Sequence, residues 1–487
     1  MAKRSALFPP PDAYIHDRLR FENPWWANGH TDAEYRAMSP RLYFDLFFPL
    51  VQDIGLRRAV VLMGPRRVGK TVMMHHSVQR LLDKGVPANR ICYINIENPI
   101  YTHLGLEQLF GFAREATKAS SADVAGWYVL FDEIQYLKDW ERHLKTLTDA
   151  YPKCKFVVSG SAAAALKLKS NESGAGRFTD FLLPPLTFYE YISLRNLSHW
   201  MVPAYTTWKE DKLPFFSTTH LRELNQEFLD YINFGGYPEV IFSETIRANP
   251  GRFIRSDIID KVLLRDLPSL YGIQDVQMLN ALFSTLTYHS GEEASLEALS
   301  QRSGVEKYQL KKYLEYLEAA FLIRVVHRVD DNAKRFKRAN FFKVYLTNPS
   351  LRSALFSPLA ATDAALGSMV ETAIYAQWMH REGFSPWYVR WPQGEVDLVA
   401  LSEKTFKPQW AVEIKWGNRA YENSGQELKP LLQFCEKHGL DAALVTTLDQ
   451  EGTHSTRGIH LHFLPAALYA YTVGDKSALL KASSDGY

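Results

Sequence analysis

The segment "GPRRVGKT", Gly64 to Thr71, constrains this chain more than any other eight residues in it. It fits the spacing G-x-x-x-x-G-K-[ST] at every fixed position, and it stands between an apolar run, "AVVLM", and a helical pattern, "TVMMHHSVQRLLDKG". Two glycines let a loop turn successive backbone N–H groups toward one point, and a helix N-terminus adds partial positive charge there. A loop of this kind cradles phosphate. Gly64, Pro65, Arg66, Arg67, Val68, Gly69, Lys70 and Thr71 are therefore the expected nucleotide-binding residues. Lys70 would reach the β- and γ-phosphates of ATP, and the Thr71 hydroxyl would ligate Mg2+.

A strand–loop–helix start implies more strands of the same sheet. From Arg58 to about Thr187 the runs "AVVLM", "ICYINI", "WYVLF" and "KFVVSGS" alternate with amphipathic stretches, which predicts a parallel sheet with helices on both faces. "WYVLFDEIQ" delivers Asp132 and Glu133 to the end of its strand. Asp132 is the expected second Mg2+ residue and Glu133 the group that polarises the attacking water, so the pair points to hydrolysis rather than storage. Ser159 and Ser161 end the next run as candidate γ-phosphate sensors, and Arg177 in "GAGRF" is a candidate arginine finger on a neighbouring subunit's ATP, which implies a homo-oligomer.

Composition bounds the rest. The 487 residues are 46% hydrophobic and 23% charged, an ordinary globular balance, and the net charge of +2 confines any nucleic-acid surface to a local patch. Cys92, Cys154 and Cys435 lie far apart, which argues for a reducing compartment and against a cysteine-rich zinc site. No apolar run approaches the ~20 residues needed to span a bilayer, and no secretory h-region follows the N-terminus. The expectation is a cytoplasmic protein with no membrane association.

Downstream, residues from about 188 to 290 read as mainly helical. "SLEALSQRSGVEKYQLKKYLEYLEAAFLIRVVHR" then gives helix, turn, helix and strand, with Leu310, Tyr313, Leu314, Leu317 and Phe321 at helical spacing, a winged helix-turn-helix pattern. The following stretch holds Arg324, Arg328, Lys334, Arg335, Lys337, Arg338 and Lys343 against Asp330 and Asp331, with Phe336, Phe341 and Phe342 interleaved. Placed after such a motif, these cations would meet DNA phosphates.

Residues 392–417 read as a hairpin interrupted by Asp397, Glu413 and Lys415. Alternation places Glu413 and Lys415 on one face, with Val412, Ile414 and Trp416 in the core, and sets Asp397 opposite in facing to Val396 and Leu398. In the simplest register Asp397 lies beside Glu413. Glu371 joins them from a preceding helix whose apolar side is Leu366, Val370, Ala373 and Ile374. Two carboxylates that hold Mg2+ or Mn2+, with a lysine beside them, suit phosphodiester hydrolysis, and the ordered set resembles the PD-(D/E)xK nuclease pattern. Cross-strand Glu–Lys pairing is the structural alternative.

The stretches "GPRRVGKT", "LFDEIQ", "SGSAAAAL", "LPPLTFYEY", "GGYPEVI", "VLLRDLPSLYGIQD", "KVYLTNPSL", "GSMVETAIYAQW", "GEVDLVA" and "AVEIKWG" together resemble bacterial and archaeal AAA-type ATPases of the archaeal-ATPase-like branch. In these a P-loop domain and a winged helix precede a restriction-endonuclease-like domain of uncharacterised function. The resemblance implies an α/β chain in five parts: a lead-in over 1–50, the P-loop core over 51–195, a helical connector over 196–290, the winged helix over 291–350 and the nuclease-like domain over 351–487. The phosphate loop, the winged helix and the hairpin residues together favour an ATP-hydrolysing enzyme that binds DNA and processes it. The alternative is a nucleotide-switched module that assembles with a protein partner, its nuclease-like domain serving only to dock.

Overall fold

A computed structural model describes residues 11–118, 124–160, 176–208, 211–329, 341–381 and 383–479. Ser161, Asp330, Asp331, Lys334, Arg335, Phe336, Lys337 and Arg338 lie outside the described residues. The chain divides into two compact units, residues 1–183 and 184–487.

The first unit is built on five parallel strands: β1 (Ala59–Met63), β2 (Ile91–Asn95), β3 (Tyr128–Asp132), β4 (Lys155–Gly160) and β5 (Phe178–Leu182). Their spatial order is β2-β3-β4-β1-β5. β1 and β3 are buried at every position, as strands covered on both faces must be. β5 escapes a pattern reading, because "FTDFL" alternates and carries none of the continuous apolar character of its neighbours. β2 is an outer strand, and the lead-in satisfies its open edge. Asn23 Nδ2 donates to the Tyr93 carbonyl at 2.8 Å, its Oδ1 accepts from the Tyr93 N–H at 2.6 Å, and the Trp25 and Trp26 indoles both donate to the Ile91 carbonyl. Backbone groups that would otherwise invite another strand are thus occupied.

In the second unit, β6 (Val202–Trp208) and β7 (Asp211–Ser217) form a separate antiparallel ribbon within the stretch expected to be helical. Pro203 and Pro214 hide these strands from a pattern reading, yet a two-stranded ribbon has outer edges where a missing N–H costs little. Nine further strands make one sheet: β8 (Glu293–Ser295), β9 (Ile323–Val329), β10 (Phe341–Leu346), β11 (Trp387–Trp391), β12 (Gly394–Leu401), β13 (Pro408–Glu413), β14 (Ala442–Thr447), β15 (Gly452–Thr456) and β16 (Ile459–Pro465). The order is β15-β16-β14-β13-β12-β11-β9-β10-β8.

Two regions read from sequence as separate modules therefore share one sheet. The join is a short parallel pairing of β11 with β9, Tyr388 with Arg328 and Val389 with Val329. One edge of β9 is left open by its hairpin with β10, and β11 occupies it. Each face of the sheet has its own core. Leu398, Val412, Leu444 and Leu464 pack with Val370, Ala373 and Ile374 of α1 (Leu366–Trp378), while Val399, Ala411, Val445 and Phe463 pack with Leu431, Leu432 and Cys435 of α2 (Lys429–His438). Cys92, Cys154 and Cys435 are all buried free thiols. Among the described residues no helix is long and apolar enough to cross a membrane.

His75, in the helix after the phosphate loop, stacks on Tyr35 with ring centroids 3.9 Å apart and contacts Trp25 and Tyr93. Its Nδ1 has no hydrogen-bond partner. Burial pushes its pKa down to about 4, with Asp132 opposing and His76 adding to the shift. The unfolded chain therefore binds a proton in the window from about 6.5 to 4 that the folded chain refuses, so stability from this group is present above pH 6.5 and lost as pH falls through that window. Urea unfolding at pH 7 and pH 5 is expected to show a stability loss smaller by about 2 kcal/mol in His75→Phe than in the parent chain.

Candidate functional sites

The first site is at the C-terminal edge of the five-stranded sheet, where β1 runs into the glycine loop. Arg67 (φ 65°) and Gly69 (φ 95°) take left-handed backbone conformations that fold the loop onto the start of its helix, Lys70–Asp83. The buried Lys70 ammonium donates to the carbonyls of Gly64 at 3.1 Å and Pro65 at 2.7 Å. Arg41 of the lead-in donates to the Val68 carbonyl at 2.8 Å, and Arg66 to the Tyr136 hydroxyl at 3.2 Å.

Asp132 is buried and organises the centre. Its Oδ2 accepts from Thr71 and from Tyr93, each at 2.7 Å, and its Oδ1 accepts from Ser159. β4 lies between β1 and β3, so Ser159 stands beside Asp132 rather than at a remote tip. The Ser159 oxygen in turn accepts the Glu133 N–H at 3.1 Å. Glu133 adopts a left-handed conformation (φ 55°), which swings its side chain off the strand. Its pKa is raised, first by burial and also by Asp132, against the pull of Lys70. Gln135 donates to its carboxylate. A hydroxyl and a carboxylate in contact make an oxygen donor set that fits Mg2+. Tyr93 carries no signal in the sequence, where it is one more aromatic in a buried strand.

Arg177 lies elsewhere. It precedes Phe178, which is in register with Ala59 at the N-terminal end of β1, a strand's length of roughly 16 Å from the loop. Its guanidinium pairs with Asp149 at 2.5 Å. Any action of Arg177 on nucleotide would fall on another copy of the chain.

The second site is on the nine-stranded sheet. β12 and β13 pair antiparallel, Leu398 with Val412 and Val399 with Ala411, and continuing that register by one position sets Asp397 opposite Glu413. The strict alternation expected around Asp397 does not hold. Against β11, Val396 pairs with Val389 but Val399 with Trp387, so β12 holds one extra residue between them. This bulge lets Val396 and Val399 pack on one face and Leu398 on the other, and it re-aims Asp397.

Asp397 Oδ2 accepts the Ile414 N–H at 2.8 Å. Lys415 Nζ reaches Glu413 Oε1 at 2.6 Å and Asp397 Oδ2 at 3.5 Å. Beyond the end of β13 the backbone of Lys415 is held by Thr446, whose hydroxyl accepts its N–H and donates to its carbonyl. Burial pushes the Glu413 carboxyl up to about 8, Asp397 adds to the rise, and Lys415 opposes it. Burial works against the Lys415 ammonium, yet Asp397 and Glu413 keep its pKa above the ordinary lysine range. The Lys415 side chain is 40% exposed while both carboxylates are nearly buried, so the amine faces solvent. Glu413 Oε2 is buried without a partner, an orphaned oxygen that fits a cation shared with Asp397. Among the described residues no group of three or more His, Cys, Asp or Glu side chains is placed to hold a metal.

Among the described residues Glu371 shares no hydrogen bond or ion pair with that trio, though it is close enough to interact electrostatically with Asp397 and Lys415. Its Oε1 accepts from Lys343 Nζ at 2.9 Å and from the Tyr345 hydroxyl at 2.6 Å. Lys343, expected among the DNA-facing cations, is instead buried and paired with Glu371 and Glu395. A flanking basic residue in sequence says nothing about facing, and here the strand turns it inward. Arg328 pairs with Glu293 at 3.3 Å.

A third surface lies on a helix of the second unit, Lys307–Ala319. It buries Leu310, Tyr313, Leu314 and Leu317 and exposes Lys307, Tyr308 and Lys311. Phe321, expected on the same apolar side, falls beyond the helix in a left-handed turn (φ 57°). Tyr308 is 69% exposed, and Lys312 lies over its ring at 4.4 Å.

The sheet order, the phosphate loop and the acids at the neighbouring strand ends define an AAA-type, ATPase-like P-loop domain. Residues 56–192 match the family model described as an AAA domain. Residues 225–363 match a domain of unknown function, DUF8612. An uncharacterized protein of Haemophilus influenzae is 24% identical over 369 residues, covering 74% of this chain and 84% of its own length. Uncharacterized protein MJ1544 of Methanocaldococcus jannaschii is 22% identical over 383 residues, covering 76% and 79%. Among solved structures, Aeropyrum pernix ORC2 overlays with TM-score 0.37 at 15% identity over 64% of this chain and 91% of that one. The Walker-type ATPase PABY2304 of Pyrococcus abyssi overlays with TM-score 0.38 at 14% identity over 63% and 94%. Overlays this loose carry no argument about function.

The loop geometry is testable directly. A Cβ on Gly64 would stand 2.2 Å from the Leu183 carbonyl oxygen, a backbone atom that cannot swing away. Gly64→Ala is expected to destabilise the first unit by about 1–3 kcal/mol, read as an earlier unfolding transition in thermal melts.

Proposed function

We propose that this protein is a Mg2+-dependent ATP hydrolase that binds DNA and cleaves it at the hairpin centre. The observation that carries the first half is the hydrogen bond of Thr71 to Asp132, which unites the two residues that would hold Mg2+ on adjoining elements. Bound Mg2+ would neutralise charge on the β- and γ-phosphates. Lys70 would leave the loop carbonyls for those phosphates, the loop N–H groups would orient them, and Glu133 would take the proton of the attacking water. Burial and Asp132 raise the Glu133 pKa, which makes its carboxylate a stronger proton acceptor.

The observation that favours cleavage is the convergence of Asp397, Glu413 and Lys415 around an unpartnered carboxylate oxygen. Asp397 and Glu413 would hold Mg2+ or Mn2+, which would supply an activated water, and Lys415 would stabilise charge on the phosphate. For DNA binding, support comes from the exposed Tyr308 and Lys311 with Lys312 beside them. They stand on the last helix of a helix–strand–helix–helix–hairpin order that suits a winged helix. Arg177 would act across a homo-oligomer.

Three measurements test this. Glu133→Gln is expected to keep ATP affinity within a few-fold and to lower hydrolysis by roughly 10²–10⁴, measured by nucleotide binding and single-turnover assays. DNA is expected to raise the ATPase rate of the parent chain, and a rate indifferent to every DNA would count against binding. Incubation with linear, supercoiled and single-stranded DNA in Mg2+ or Mn2+, with and without ATP, is expected to give cleavage that Lys415→Ala abolishes. No cleavage of any substrate, together with an ATP-dependent change in assembly size, would instead establish a nucleotide-switched docking module.

A further inference from the structure

The phosphate loop cradles an anion only if its peptide N–H groups point inward, and its two glycines differ in what restrains them. Gly64 is hemmed in by the Leu183 carbonyl, whereas a Cβ on Gly69 would meet no atom within 4 Å. Gly69 also takes φ 95°. A glycine with such freedom lets the peptide plane before it rotate at little cost. That plane is trans, so its C=O and N–H point in opposite directions, and whatever grips the Val68 carbonyl aims the Gly69 N–H.

The grip comes from outside the motif. Lys70, within it, engages the Gly64 and Pro65 carbonyls, but the Val68 carbonyl accepts from Arg41 Nη1 of the lead-in at 2.8 Å. Arg41 is 7% exposed. Its guanidinium lies over the Tyr43 ring, 5.6 Å from the centroid, and that ring meets Phe181 of β5 edge-on. The helix that follows, Phe44–Gln52, buries Phe44, Phe47, Phe48 and Val51, and Phe47 also contacts Phe181. The arginine is thereby planted on a packed segment rather than on a loose arm.

We infer that Arg41 is a positioning residue of the phosphate loop: by holding the Val68 carbonyl it aims the Gly69 N–H at the phosphates of a bound nucleotide. This rests on the reading of the loop as a nucleotide site, and it gives the lead-in a part in that site. A buried arginine that merely fastened the lead-in would change stability without changing nucleotide affinity, and the test separates the two.

ADP and ATP binding to the full-length protein is measured by calorimetry in EDTA, where no metal contributes, alongside thermal melts and ATPase assays with Mg2+. Arg41→Met is expected to weaken both nucleotides by roughly 10–100-fold, the size of one hydrogen bond to a charged group. In the ATPase assay the loss falls on KM rather than kcat, because the Gly69 N–H would hold substrate and transition state alike. Arg41→Lys keeps a cationic donor and is expected to recover most of the affinity. Should Arg41→Met fail to fold, Arg41→Gln gives the same reading, since its shorter, neutral amide stops short of the carbonyl. A folded Arg41→Met or Arg41→Gln chain with parental ADP affinity would overturn the inference and leave the nucleotide site standing. A loss that Arg41→Lys does not recover would trace to disturbed packing of the lead-in and overturn it as well. A parent chain that binds neither nucleotide, with or without Mg2+, would remove the site and the inference together.

Discussion

A carboxylate withdrawn from water must be met by donors or cations, and both centres of this protein are arranged around that requirement. Asp132 meets it with three hydroxyls and the Glu133 N–H. Thr71, Tyr93 and Ser159 come from the loop helix, β2 and β4, so one side chain links three elements of the first unit. Displacing any of them would leave the charge under-compensated. The position of the acid relative to the phosphate loop is therefore set by the sheet, not by a flexible side chain.

The second unit meets the same requirement with cations. Asp397 and Glu413 share Lys415, while Glu371 and Glu395 share Lys343. The two lysines differ in exposure: the Lys415 amine reaches solvent, whereas Lys343 meets only its buried neighbours. The Asp397 bulge makes the first cluster possible, since an unbroken strand would have kept Val396 and Leu398 on one face.

Much of the first centre is legible from spacing. The phosphate loop, the Asp132–Glu133 pair and Ser159 follow from short local patterns, because each sits at the end of a continuous apolar strand. The four strands named from apolar runs all form. Tyr93 is not legible, since its partner is 39 positions away and only the pairing of β2 with β3 brings them together. At the hairpin, the register that sets Asp397 opposite Glu413 is legible from alternation, but the bulge is not. A one-residue insertion leaves no mark on a short apolar pattern.

By itself the sequence determined the α/β character, the phosphate loop and the hairpin register, all governed by contacts between near neighbours along the chain or by the periods of strand and helix. Tertiary structure alone decided that β8–β10 join β11–β16 in one sheet, that Lys343 turns inward, and that Arg177 stands at the far end of its strand from the loop. These depend on which open strand edge finds which partner and on how far the sheet twists, quantities that belong to the packed whole and to no local stretch.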